Sequence, residues 1–460
     1  MCSEYMIKDK YFYKTFFSLF FVVALQNLIV FSVNLADSIM LGSYSETAMS
    51  GVSLANQIQF LLQMFVNGAA NGLVVIASQY WGKKHLEPIK KVFAAAFFAG
   101  VAISLVIMTA VLISPEGVLN ILSNEAEIVK EGARYIEIMA FTYIIFAVTN
   151  ILIALMRSVE AVRIGFYTSL FAFVFNVGLN YCLIFGNFGF PEMGVIGAAV
   201  ATLVSRIVEF IAVLVYVFVI DKKLKLRPKD VLSLEKTYIK DYIKAGLPLI
   251  GSGGSWGIAM TVQTSIIGRL GAAAIGANGV AAPIFQVVSV LYTSSGNASS
   301  VLIGKTVGEK DIPRVKKYSK KLQIMYIIIG LISCVCLLLA RDSIISMYDV
   351  TAETAALSAT FINILAVTVI GSSYEAPCLC GIVSGGGDTG FVFKNDIIFM
   401  WCIVLPLAFL SAFVFNWPVA VTFFILKSDQ LTKCLVAIPK VNRYKWIRVL
   451  THEENEAKAS

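Results

Sequence analysis

The stretches Asp37-Ser-Ile-Met-Leu-Gly42 and Gln263-Thr-Ser-Ile-Ile-Gly268 lie 226 residues apart, and the correspondence they open decides the fold. At the same shift, without a gap, Ala48 meets Ala274, Ile58 meets Ile284, Asn71 meets Asn297, Gly82 meets Gly308, and Lys90-Lys91 meet Lys316-Lys317. Ungapped agreement of this extent marks an internal duplication of a kind common in transporters.

Each copy consists of long apolar runs. A run of 18 or more such residues crosses a hydrocarbon core of about 30 Å as a helix. Spans are expected at 15–41, 47–80, 91–113, 135–156, 164–186, 194–220, 242–268, 272–304, 322–340, 355–383, 391–414 and 417–438. The twelfth is interrupted by Lys427, Asp429 and Lys433, which would equally suit the start of a surface helix. Composition agrees with a lipid solvent: 58% of residues are hydrophobic and 14% charged, against roughly 25% charge in soluble chains. The run after the mixed-charge opening MCSEYMIKDKYFYK exceeds a secretory h-region and lacks a small-residue cleavage site, so it is expected to be retained as the first span.

Basic residues alternate with acidic ones from loop to loop. Lys83, Lys84, Lys90 and Lys91 follow span 2, Arg157 and Arg163 follow span 4, and clusters at 222–244 and 305–321 follow spans 6 and 8. The intervening loops carry Glu116, Glu125, Glu127, Glu192, Asp342, Asp349 and Glu353. Short cytoplasmic loops collect Lys and Arg, so both termini are expected in the cytoplasm of a multi-pass plasma-membrane protein. Because the shift lays one basic loop on another, the halves have the same orientation. The expected fold is all-α and integral to the membrane, with twelve transmembrane helices in two parallel-repeat six-helix lobes: residues 1–220, a basic linker 221–244, a second lobe 245–440 and a tail 441–460.

Several functions are excluded. The net charge of +8 is spread over loops, with no groove for nucleic acid. No four of the eight cysteines have metal-site spacing, and only His85 and His452 are available as imidazoles. No cluster of carboxylates, histidines or a cysteine with a base points to an enzyme, and neither a metal nor a cofactor is expected. A channel would repeat its pore-lining group in each half, whereas Asp37 faces Gln263 across the duplication.

Asn34-Leu-Ala-Asp37 with Gly42, Gln79-Tyr-Trp-Gly82, Asn176-Val-Gly-Leu-Asn180, Gly197-Ala-Ala-Val-Ala-Thr202, Gly385-Gly-Gly-Asp388-Thr389 and Lys445-Trp446-Ile447-Arg448 with Thr451 follow one another in a meaningful order. In these residues the chain resembles the multidrug and toxic compound extrusion (MATE) family over nearly its whole length. The resemblance implies export of cationic or amphipathic organic compounds by Na⁺ or H⁺ antiport. It also implies a coupling role for Asp37 with the span 5 pair, where the family usually has Asn followed by Asp. Here the second member is Asn180.

The residues bear on the same chemistry directly. A carboxylate deep in a span costs about 2.5–3.5 kcal/mol to insert, so Asp37 reads as a coupling residue; alternatively it sits at the outer end of span 1 within reach of water. Asn176 and Asn180 share a helix face and, with Thr202, offer neutral oxygens to a cation beside Asp37, or they bond neighbouring helices. With one carboxylate fewer than the family pattern, hard-oxygen coordination of Na⁺ weakens and proton coupling gains. Glu375 in span 10 is a possible second-lobe acid or a structural partner. Arg206 and Glu209, three apart in span 6, are expected to neutralise each other, and Asn71 and Asn297 to serve packing. Pro248 and Gly253-Gly254 mark span 7 for bending.

The substrate cavity is expected near the midplane between the lobes, lined by Gln57, Phe60, Gln63, Met64 and Asn67 of span 2 and by Gln286 and Tyr292 of span 8, although Met and aromatic residues are common in any span. Expected partners are small organic cations and the lipid bilayer, and the expected state is a monomer. A lipid-linked oligosaccharide flippase of the same superfamily is the alternative, but it would favour a cationic cavity, and Arg206 is the one clear intramembrane arginine.

Overall fold

Backbone groups in hydrocarbon must pair within their own segment, which turns every long apolar run into a helix. The computed structural model describes residues 2–348 and 350–452, with side chains from Lys10 onward. Asp349, assigned above to an outer loop, and residues 453–460 of the tail lie outside the described residues. Among the described residues there is no strand.

Among the described residues nine helices are long and apolar enough to cross a membrane, ten with one bent pair, and with the less apolar Lys236–Gly268 and 419–442 they fit a twelve-helix arrangement. The first lobe holds α1 (Cys2–Tyr44), α2 (Glu46–Gly82) and α3 (Leu86–Ile113). Next come α4 (Ala126–Met139 with Thr142–Ser158, bent by 53°), α5 (Arg163–Phe185) and α6 (Gly194–Ile220). The second lobe repeats the set as α7 (Lys236–Gly268), α8 (Ala272–Gly308), α9 (Ile312–Ile345), α10 (Ala352–Val383) and α11 (Thr389–Val414). It ends in α12, made of Val419–Lys427 and Asp429–Asn442. The α12 charges do not begin a surface helix: Lys427, Asp429 and Lys433 are all buried. A twelve-residue stretch of α9 shows the lipid-facing pattern, with Ile324, Ile328, Leu331, Ile332 and Val335 exposed at helical spacing.

Packing divides the described chain into two compact units. The N unit comprises Leu25–Ala77 and Lys84–Gly254, and the C unit comprises the residues up to Ala24, Ser78–Lys83 and Ser255–His452. The boundary therefore falls inside α1, α2 and α7, and the front half of α7 belongs to the N unit. Small residues make that possible. A Cβ added to Gly72 would lie 2.6 Å from the Gly246 Cα, and Gly68 and Gly253 are equally closed by the backbone of Leu249 and Met64. Tyr242 Oη donates to the Ala69 carbonyl at 2.9 Å. Close backbone approach through small residues is the usual means of helix association in lipid.

The N-unit core joins Leu41, Val52, Leu62, Ile136, Tyr143 and Ala198. In the C unit, Phe361 and Phe423 stack with ring centroids 3.8 Å apart, beside Ala259, Met400 and Val404. Within the C unit the Gln79 side chain also clasps the tail: Nε2 donates to the Arg448 carbonyl at 3.1 Å and Oε1 accepts the Leu450 amide at 2.8 Å. Trp446, fully buried, seats that tail on Gly386.

Candidate functional site

Asp37 lies seven residues before the end of α1 and is only 4% exposed. The i, i+4 spacing in α5 turns Asn176 and Asn180 to one face, and both are buried. Asn180 Nδ2 donates to Asp37 Oδ1 at 2.5 Å and to Asn176 Oδ1 at 3.2 Å. Asn176 Nδ2 donates in turn to Thr202 Oγ1 of α6 at 3.2 Å. The four residues chosen from sequence therefore form one connected cluster drawn from α1, α5 and α6. Asn180 Oδ1 is buried and has no hydrogen-bond partner, and an orphaned acceptor of that kind is costly unless something comes to meet it.

One turn along α6, Arg206 and Glu209 pair at 2.8 Å, and Ser169 Oγ donates to Glu209 at 3.0 Å. The Arg206 guanidinium lies 5.6 Å from the Phe146 ring centroid. The mutual neutralisation expected from spacing is present, yet the pair is also part of the site. A small, partly open cleft is lined by Val33, Ser169, Asn176, Thr202, Arg206 and Glu209. One carboxylate, an unpaired amide oxygen and a hydroxyl are hard oxygen donors, suited to a proton or a small monovalent cation. Among the described residues, no group of three or more His, Cys, Asp or Glu could hold a metal ion.

Glu375 belongs to a different assembly in the C unit. It is buried on α10 and faces Lys433 of α12 electrostatically. Lys433 Nζ reaches Asp396 at 3.0 Å and Asp429 at 3.5 Å, so one ammonium serves several acids. Lys433 was missed as the cation facing Glu375, and Asp396 as a second acid sharing that cation. The i, i+4 spacing of Asp429 and Lys433 was the one available signal, and it read as an interruption of a span. At the repeat counterpart of Asp37, Gln263 Oε1 accepts from Lys427 Nζ at 3.3 Å while its Nε2 contacts Met400 Sδ at 3.4 Å.

The residues expected to line a cavity fall in both units. In the N unit, Gln57 is exposed, while Phe60, Gln63 and Met64 are half-buried. Asn67 Oδ1 accepts from Asn150 Nδ2 at 2.6 Å. In the C unit Gln286 is exposed and Tyr292 buried, the latter lining a small pocket with Phe285, Ser372 and Gln430. Asn71, assigned to packing, accepts from Arg157 Nη2 at 3.2 Å.

Comparison with known proteins gives a consistent result. The MatE family profile matches residues 23–182 and 256–410. An uncharacterized transporter, YisQ of Bacillus subtilis, is 23% identical over 441 residues, covering 95% of this chain and 96% of its own. The multidrug resistance protein NorM of Photobacterium profundum is 26% identical over 389 residues, covering 82% and 83% respectively. Among solved structures, a MATE crystal structure in the bent conformation superposes with a TM-score of 0.85 at 16% identity, covering 98% of this chain and 97% of that one.

Proposed function

The chain belongs to the MatE family of membrane transporters, and we propose that it is a secondary active antiporter exporting cationic or amphipathic organic compounds in exchange for H⁺ or Na⁺. The observation that carries this is the Asp37 cluster: a buried carboxylate held by Asn180 beside an amide oxygen that lacks a partner. Multidrug resistance proteins among the relatives support the substrate class.

In this proposal the coupling ion enters from outside and neutralises Asp37, Asn176 and Thr202 shape its surroundings, and loss of the negative charge releases the organic cation. A single carboxylate favours the proton over Na⁺, because a bare alkali ion needs several hard oxygens to replace its water. Glu375 serves as a second acid. The substrate meets Gln57, Phe60, Gln63, Met64 and Asn67 in the N unit and Gln286 and Tyr292 in the C unit. In this reading the protein works as a monomer in the plasma membrane, and the loop charges support cytoplasmic termini.

The test is ethidium efflux from energised vesicles with the Na⁺ and proton gradients collapsed separately. Efflux that stops with one gradient supports antiport and identifies the ion. Absence of gradient-dependent efflux across a broad panel of organic cations overturns the proposal in favour of a flippase.

A further inference from the structure

We propose that Lys427 is a built-in cation: its ammonium occupies, in the second repeat, the place that the first repeat leaves for the exchangeable coupling ion. The inference deepens the antiport proposal and rests on Asp37 being the coupling site.

The repeat relation supplies the first part of the argument. The shift of 226 residues that carries Asp37 onto Gln263 carries Ala201, next to Thr202, onto Lys427. The contacts draw on the same three helices of each copy, at different positions along the fifth. In the first, the α1 side chain meets Asn180 of the fifth helix, whose neighbour Asn176 bonds Thr202 of the sixth. In the second, the α7 side chain meets Met400 of the fifth helix and Lys427 of the sixth.

The surroundings of the ammonium supply the second part. Lys427 is 7% exposed, yet the partners of its Nζ are the neutral Gln263 amide oxygen at 3.3 Å and the rings of Phe285 and Phe423, with centroids 4.4 Å and 5.9 Å away. No carboxylate lies within ion-pairing distance of it among the described residues. Asp429, two residues on in α12, acts on it only through the longer-range field and is itself engaged by Lys433. A buried charge with no counter-ion is rare, because desolvation is repaid only by strong partners. Here an amide dipole and aromatic rings take over, which are the elements that would hold a free monovalent cation. An acid at 263 would pair with Lys427 and close the site permanently. Glutamine leaves the ammonium as the sole charge, so the second copy needs no ion from solution.

The test uses full-length protein in detergent, in a D37N background that silences the first site, with thermal unfolding followed with and without NaCl and across pH. Adding Q263D alone should create an internal ion pair and no ion dependence. Adding Q263D with K427M should leave an acid with no resident cation, so that the midpoint rises by about 2 °C or more with Na⁺ or on acidification. K427Q replaces K427M if the latter is not monodisperse. Equal ion dependence in D37N/Q263D with Lys427 present would overturn the proposal, as would its absence in both Lys427 variants. Failure of the coupling reading is separate: it appears as unchanged gradient dependence of efflux in the single D37N variant.

Discussion

Asp37 and Gln263 stand at one position of a duplicated six-helix plan, and the two copies have solved the burial of polar side chains there in opposite ways. The first copy sets an acid against Asn180 and leaves Asn180 Oδ1 unmet. The second sets an amide against Lys427 and concentrates its acids elsewhere, around Lys433. One arrangement is incomplete without something from solution; the other is completed from within the chain. Duplication therefore supplied two equivalent frames, and divergence at a few polar positions gave them different tasks, which fits a transporter in which the lobes contribute unequally.

Substitutions that break or sharpen this contrast are ranked here by expected effect. Replacing Lys433 with Met strips Asp396 and Asp429 of their ammonium, and removing one partner of a buried pair costs about 3–5 kcal/mol; a lowered thermal midpoint of the purified protein would register it. Asp37→Asn should reduce gradient-driven ethidium efflux by about tenfold or more, equivalent to about 1.4 kcal/mol of lost coupling, while Asp37→Glu retains part of it. Full gradient-driven export by the Asn variant would show that the acid in the first copy has no coupling role. Asn180→Asp restores the family's second carboxylate and should shift efflux several-fold toward dependence on the Na⁺ gradient, measured by collapsing each gradient in turn. Smallest of all, Lys91→Ala removes an ion pair with Glu235 in the N unit whose side chains are each about one-third exposed. It should cost at most about 1 kcal/mol and leave transport rates unchanged.

The legibility of these features in sequence depended on their range. Spans were visible because hydrophobic length is a local property, and the duplication because it preserved spacing. The Asp37 cluster was found because an acid inside an apolar run is conspicuous and because the MATE resemblance linked α1 to α5. Glu375 was seen but its setting was not: Asp396 and Lys433 lie 37 residues apart on different helices, and neither carries a mark of the other. Lys427 suffered most, since a lysine in a weak apolar run looks like the end of a span unless the partner 164 residues earlier is known. Arg157 likewise read as a loop charge following span 4, although it bonds Asn71.

The tight seam between α2 and the opening of α7 bears on how the molecule could be divided. Gly68 and Gly72 complete their packing on Leu249 and Gly246, which the duplication assigns to the later copy. A fragment ending at residue 220 would present that glycine seam bare to lipid, whereas one extended to Gly254 would carry its own lining. Two-piece co-expression should therefore succeed better with the break moved downstream, past the first half of α7: the inherited module and the cohesive one are out of register by half a helix.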